Sequence, residues 1–344
     1  MTPGRHSPDD HHDPRRAGAG GPLTPAFDAD RLAHELSAVT GHPWQRQRTH
    51  YAAGRIGPDT PTDWRVLPLR SPGGDPTRTD PGGPGPDHYA ATRWLDQMPY
   101  LREILDEIPA PLNAVRLLAL GPGAASQPHR DPKYALERGM VRLHIPIVTH
   151  PGAVLVLDGT EHRWQPGTFW YGDFSREHMV ANTGPVRRVH AVIDALFTRE
   201  LATLFPTEWQ ESLGDADVLF NRLPDPALRP SPPLPRAVNL PSGFTDFSQD
   251  TPLEGSTVPV RLTERDGDLV LTAAERGFAL VHVVDGEYRY AGWSEQRTLE
   301  LGNDHVVLHA RHGRALTSQH VSLPAADSSP AGAWHDESRT QCAR

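Results

Sequence analysis

The chain has a single lysine, Lys133, and a single cysteine, Cys342, among its 344 residues. One cysteine cannot build an internal disulfide framework, and that scarcity suits the cytoplasm. No apolar run is long enough to cross a membrane, and the N-terminal segment holds no hydrophobic stretch of the kind that directs secretion. Basic clusters with interleaved aromatics are also missing. With a formal net charge of −9, this balance argues against nucleic acid as a partner. Arginine stands almost everywhere lysine could, as a GC-rich coding bias would produce, so Lys133 alone is only a weak candidate for a substrate contact.

Histidine, by contrast, is plentiful: there are 19, and His-x-Asp occurs twice. The copy at His11-His12-Asp13 lies in a segment rich in Pro, Gly and charge, without an apolar period, and reads as a solvated tail. The copy at His129-Arg130-Asp131 follows the β-prone run Ala114 to Leu120, which ends at Gly121-Pro122-Gly123. Residues i and i+2 of an extended chain share a face, so His129 and Asp131 can point both ligands inward. His178 follows, and Arg188 comes ten residues later. Two histidines and a carboxylate can hold one face of an octahedral iron(II) and leave the other face open. The arginine offers a flat, permanently charged fork for a carboxylate.

The strands around these residues alternate. Val141 to Val148 places Arg142 and His144 on one face. Ala153 to Leu157 and Glu161 to Trp164 form a hairpin about Asp158-Gly159. Val186 to Phe197 puts Arg188, His190, Val192 and Asp194 on one face, and Val189, Ala191, Ile193 and Ala195 on the other. The polar face lines a cavity if His178 lies beside it. Trp164, Trp170 and Tyr171 fall at strand alternation and read more readily as core than as a substrate platform.

From about Tyr89 to Leu201 the chain resembles the aspartyl/asparaginyl β-hydroxylase family, with kinship to bacterial proline 3-hydroxylases. The resemblance is carried by Pro99 to Leu105, Val115-Arg116-Leu117, Pro128-His129-Arg130-Asp131, Val141 to Pro146, Pro166 to Tyr171, His178 to Asn182 and Arg188 to Asp194, in that order. Animal members of the family lack the acidic ligand; this chain keeps Asp131 and so resembles the bacterial members. The resemblance implies a mainly β fold, a double-stranded β-helix (jelly roll) with ligands at its open mouth and flanking helices. It implies His129, Asp131 and His178 as ligands of Fe(2+), and Arg188 as partner of the distal carboxylate of the cosubstrate 2-oxoglutarate. His144 would line the cosubstrate side of the pocket, with Arg142, Arg70 and His190 as weaker substrate-side candidates; His190 could instead support Arg188 from the same face or be structural. The implied activity is hydroxylation, with dioxygen, of an unactivated carbon in an amino-acid side chain, either peptide-borne Asp/Asn or a residue of a natural product. A free amino acid of the proline type is the rival substrate. A reading of another class is a metal-binding jelly-roll sensor or scaffold without catalysis.

The organisation expected is a disordered tail over 1–25, the oxygenase domain over 26–201, and a helical bridge and Pro-rich linker over 202–236. A small β-rich module over 237–323 would follow, built from hairpins about Asp266-Gly267, Asp285-Gly286 and Gly302-Asn303-Asp304, with a disordered tail over 324–344. Nothing in the module names a chemistry. An edge strand for a large substrate, plain stabilisation and a homodimer contact are its candidate roles.

Overall fold

The computed structural model describes residues 19–50, 56–59, 62–224, 234 and 236–323. The His11/Asp13 copy, most of the Pro-rich linker, Cys342 and the expected C-terminal tail lie outside them. Among the described residues the chain forms a jelly roll followed by a second, consecutive antiparallel sheet.

The major sheet of the jelly roll runs in the order Gly20–Ala26, Thr168–Gly172, Met140–Val148, Arg188–Leu196, Leu112–Leu120, Trp64–Pro72 and Gln45–Arg46. A three-stranded minor sheet orders Thr160–His162, Ala153–Leu157 and His178–Asn182. The first strand corrects the expected boundary at residue 26. Gly20 to Pro22 pair with Gly172 to Trp170, because this short apolar segment closes the edge of the major sheet.

Period-2 alternation sorts the major sheet into two faces. Val115, Leu117, Val141, Leu143, Ala191 and Ile193 point to one side and are almost fully buried. Two helices cover that side. Ala29–Thr40 is capped by Asp28, whose Oδ1 accepts from the amides of Asp30 and Arg31, and it buries Leu32, Leu36 and Val39. Pro99–Asp106 begins on proline, where an unbonded amide costs nothing, and buries Leu101, Ile104 and Leu105. The opposite face carries Arg116, Arg142, His144, Arg188, His190 and Asp194, all buried as well. Register brings them together: Val192 pairs with both His144 and Arg116, and Asp194 pairs with Arg142.

Beyond the helices Arg199–Ala202 and Thr207–Asp215, eight strands from Arg236–Pro241 to Ala315–Ser322 follow one another in chain order. All three expected hairpins are present. Asp266 and Asp285 take left-handed backbone at φ 53° and 49°, beside Gly267 and Gly286, as tight two-residue turns require.

The module is not an independent lobe. One buried apolar cluster joins Leu120, Tyr134, Met140 and Leu196 of the jelly roll to Val238, Phe244, Leu271 and Tyr290 of the second sheet. Backbone bonds cross the boundary too, from the Gly313 amide to Glu137 O (2.7 Å) and from the Ala279 amide to Gly85 O (2.8 Å). No described helix is long and apolar enough to cross a membrane.

Candidate metal centre

His129 and His178 meet across an antiparallel bridge. Each amide donates to the other residue's carbonyl, at 3.0 and 2.9 Å, and the rings stand 4.2 Å apart. The Asp131 amide donates to Phe174 O at 2.8 Å, fixing the loop that presents the carboxylate. One ligand atom from each of His129, Asp131 and His178 lies within 4.8 Å of the others, close enough for one ion.

Both imidazoles are oriented alike. His129 Nδ1 contacts Gln127 O at 2.8 Å, and His178 Nδ1 contacts Arg176 O at 2.9 Å. A carbonyl only accepts, so each Nδ1 carries the proton and each Nε2 presents a lone pair. Burial and the neighbouring His129 push His178 down to about 4, despite its bond to Arg176 O, so it is neutral near pH 7. For Asp131, burial raises the carboxyl, but Arg142 and the two histidines outweigh it and hold the group below its ordinary range. A histidine pair oriented to offer Nε2, beside an ionised carboxylate, is the donor set a divalent iron requires.

Arg142 ties this carboxylate to the sheet. Its NH1 donates to Asp131 Oδ2 at 2.5 Å, and its Nε to Asp194 Oδ1 at 2.7 Å. Asp194 also accepts from Tyr134 Oη at 2.7 Å and from Arg116 at 3.4 Å. Burial would raise Asp194, yet Arg142 and Arg116 bring it down to about 2. The Arg142 expected on the substrate side is therefore committed to two aspartates. Arg70 is corrected likewise: its guanidinium donates to the carbonyls of Leu112 (3.0 Å) and Tyr89 (2.7 Å), because the residue sits at the sheet end facing backbone rather than cavity.

Arg188 is 5% exposed, and its NH2 donates to His190 Nδ1 at 2.8 Å. Burial lowers it to about 9, and no carboxylate among the described residues forms an ion pair with it. His190 thus supports the arginine instead of reaching outward for substrate. His144 stacks on Phe174 with centroids 5.0 Å apart, and both of its ring nitrogens are buried without a partner. Burial, with Arg188 nearby, keeps His144 neutral well below its ordinary value. A buried cation without a counter-ion, beside unpartnered nitrogens, fits an anionic ligand supplied from outside.

Sequence reasoning missed three residues here. Arg116 and Asp194 were readable from alternation, since both fall on the polar face of adjacent strands. Trp164 is core, as its strand alternation suggests, but it also lies edge-on to His144 with centroids 5.2 Å apart, and its Nε1 has no partner. Its place follows from the minor sheet folding over the major one, which no local pattern encodes.

Residues 27–197, about half of the chain, match the family model described as aspartyl/asparaginyl beta-hydroxylase. The domain that these residues form belongs to that family, and the chain is a hydroxylase of the 2-oxoglutarate-dependent class. The donor set and the unpaired arginine fit the iron(II) and 2-oxoglutarate that such an enzyme uses. No curated protein matches the chain. Solved structures similar to it include a 2OG-Fe(II) oxygenase family oxidoreductase from Burkholderia pseudomallei, with 13% identity, 56% of this chain and 92% of that one covered, and a TM-score of 0.35. A prolyl-4-hydroxylase from Pseudomonas putida shows 16% identity, 54% and 95% coverage, and a TM-score of 0.31. A prolyl hydroxylase from Trichoplax adhaerens, solved with a hypoxia inducible factor oxygen degradation domain peptide fragment, shows 10% identity, 54% and 87% coverage, and 0.36.

Proposed function

We propose that this chain hydroxylates an amino-acid side chain carried by a peptide or by a small natural product, with His129, Asp131 and His178 holding iron(II) and Arg188 anchoring 2-oxoglutarate. The observation that carries this reading is the matched orientation of the two imidazoles, both pinned at Nδ1 beside an ionised Asp131. When bound, the metal and cosubstrate supply the oxidising chemistry: one oxygen atom of dioxygen enters a C–H bond, while the other is taken up as 2-oxoglutarate becomes succinate and carbon dioxide.

The protein's own part is positional. Arg142 keeps Asp131 ionised and aimed, and Asp194 keeps Arg142 in place from behind. His190 accepts from Arg188 and fixes the direction of its fork. Phe174 and Trp164 pack their rings on His144 and put apolar surface beside it, which would keep water from a ligand bound there.

An acidic side chain as substrate is supported by charge. Arg116, Arg142 and Lys133 cluster around Asp131 and Asp194, and Asp131 would spend its charge on the metal. Lys133 donates to Gly82 O at 3.1 Å, and burial lowers it to about 8. The test is iron-dependent succinate formation against a panel of Asp- and Asn-containing peptides and free amino acids, read together with gain of one oxygen atom in the product. Coupled turnover with free proline alone would replace the peptide reading with the free amino acid. Iron binding without any succinate would favour the non-catalytic scaffold.

A further inference from the structure

Trp164 sits on the loop between the strands Thr160–His162 and Thr168–Gly172, and only 4% of its surface is exposed. One of its ring neighbours is Trp170, stacked at 5.1 Å with planes 17° apart. The others are His144 at 5.2 Å, and His162 and His190 each at 6.1 Å. The two indoles differ in one respect. Trp170 Nε1 donates to Thr168 Oγ1 at 2.8 Å, while Trp164 Nε1 is buried and donates to nothing.

The unpartnered nitrogen is not isolated. His144 Nδ1 and Nε2 and His190 Nε2 are also buried without partners. Arginine has no acceptor, so the Arg188 bond to His190 Nδ1 requires that nitrogen to accept. In a neutral ring the proton then lies on Nε2. This corner of the jelly roll therefore gathers an indole N–H, an imidazole N–H and a guanidinium, and no acidic side chain among the described residues receives them. A buried donor left unmade is costly, and several in one place indicate an absent acceptor with more than one lone pair.

We propose that Trp164 is a binding residue for the cosubstrate: its Nε1–H donates to the far carboxylate of 2-oxoglutarate beside Arg188. This rests on the 2-oxoglutarate reading above and adds a second donor to the one arginine. Two donors of different kinds select for a ligand that ends in a carboxylate, since a methyl end would leave both unpaired. The stack on Trp170 holds the indole plane, and His190 holds the arginine, so neither donor must be ordered when the ligand arrives.

The test is calorimetric titration of the full chain, loaded with Mn(II) so that no turnover occurs, with 2-oxoglutarate and separately with 2-oxobutyrate, which has the chelating head but no far carboxylate. Trp164→Phe keeps the ring and deletes the donor. It should weaken 2-oxoglutarate on the order of tenfold or more, as expected for a hydrogen bond to a charged group, and leave 2-oxobutyrate unchanged. Trp94→Phe, whose indole donor is already satisfied by Pro76 O at 3.0 Å on the helix-covered side of the major sheet, should leave both affinities unchanged. Equal 2-oxoglutarate affinity in wild type and Trp164→Phe overturns the assignment, with the ordered donors then satisfied by water. An equal loss for both ligands also overturns it, because the damage would lie at the metal. No 2-oxoglutarate binding by the wild type overturns both this assignment and the function it rests on.

Discussion

In the C-terminal sheet, Arg222 and Arg311 meet Glu287 and Glu295 in a closed set of two cations and two anions. Arg222 reaches both glutamates at 2.7 and 2.6 Å, Arg311 reaches Glu287 at 2.7 Å, and the Thr298 hydroxyl donates to Glu287. In the jelly roll, Arg142 and Arg116 converge on Asp194 in the same manner, but the chain of contacts runs on to Asp131, whose side chain is 32% exposed. Beside it Arg188 has only a neutral imidazole. Both regions bury charge in antiparallel sheets of similar make. The difference is that one set is complete within the protein, whereas the other ends at atoms that await a ligand. Trp293 Nε1 and Arg289 Nε in the second sheet are also unpartnered, but that arginine donates to the carbonyls of Tyr290 and Trp293; the jelly roll gathers four such nitrogens near Arg188.

Removing a cation from each network separates their roles. Arg142→Met leaves Asp131 without its arginine and Asp194 with only the Tyr134 hydroxyl and a longer contact to Arg116, which should cost about 3 kcal/mol of folding stability, the lower end for broken buried pairs. It should also weaken metal binding roughly 10–100-fold, as loss of a ligand's orienting partner does. Arg311→Met should destabilise to a smaller degree, since Arg222 still serves Glu287, and should leave metal affinity unchanged. Urea denaturation and metal titration of both variants check this. A metal affinity equally reduced in both would erase the distinction drawn between the regions.

Arg188 should behave oppositely to Arg142. Its loss removes a buried cation that has no counter-ion, so Arg188→Ala should not lower the stability of the metal-free protein. It should instead raise the 2-oxoglutarate requirement by an amount on the order of 2–4 kcal/mol, and Lys should restore it only in part because it lacks the fork. Thermal melts with and without 2-oxoglutarate read both effects. A strongly destabilised ligand-free Arg188→Ala would mean that the guanidinium is part of the fold.

A smaller effect follows from pH. Burial keeps His144, His178 and His190 below their ordinary value of 6.5 in the folded metal-free chain. Below that value the unfolded chain takes up protons that the folded chain refuses, so stability falls as pH falls, by about 1.4 kcal/mol per unit for each histidine. For His178 the loss ends near pH 4, where the folded state also accepts the proton. Denaturation midpoints measured from neutral pH downward should show this slope, and it should be shallower in His190→Phe. A flat profile over that window would show the rings to be hydrated.

Much of this was legible in the chain. The alternation in Val141–Val148 and Val186–Phe197 marked the polar and apolar faces correctly, because a strand's two-residue period is local. The order of His129, Asp131 and His178 marked three side chains that the fold brings within reach of one ion, and the Asp-Gly pairs marked the hairpin turns. What local pattern could not give was depth and partnership. Arg142 and Arg188 look alike from their strands, yet only the register of three neighbouring strands gives the first two aspartates and the second none. Trp164 is core, as alternation marks it, but its place over His144 comes from the minor sheet folding back on the major one. The strand Gly20–Ala26 hid in a Gly- and Pro-containing segment whose pairing partner lies some 150 residues away, with Gly20 opposite Gly172. The second sheet was foreseen as a module, but its shared apolar cluster with the jelly roll joins residues from both ends of the chain.

The most direct measurement is conversion of 2-oxoglutarate to succinate, with iron(II) and air, by the wild type and by His178→Ala at equal concentration. The account predicts iron-dependent succinate in the wild type and none in the variant, because two remaining ligands cannot hold the metal in a defined geometry. Wild-type turnover in His178→Ala would contradict it and move the metal away from the bridge between His129 and His178.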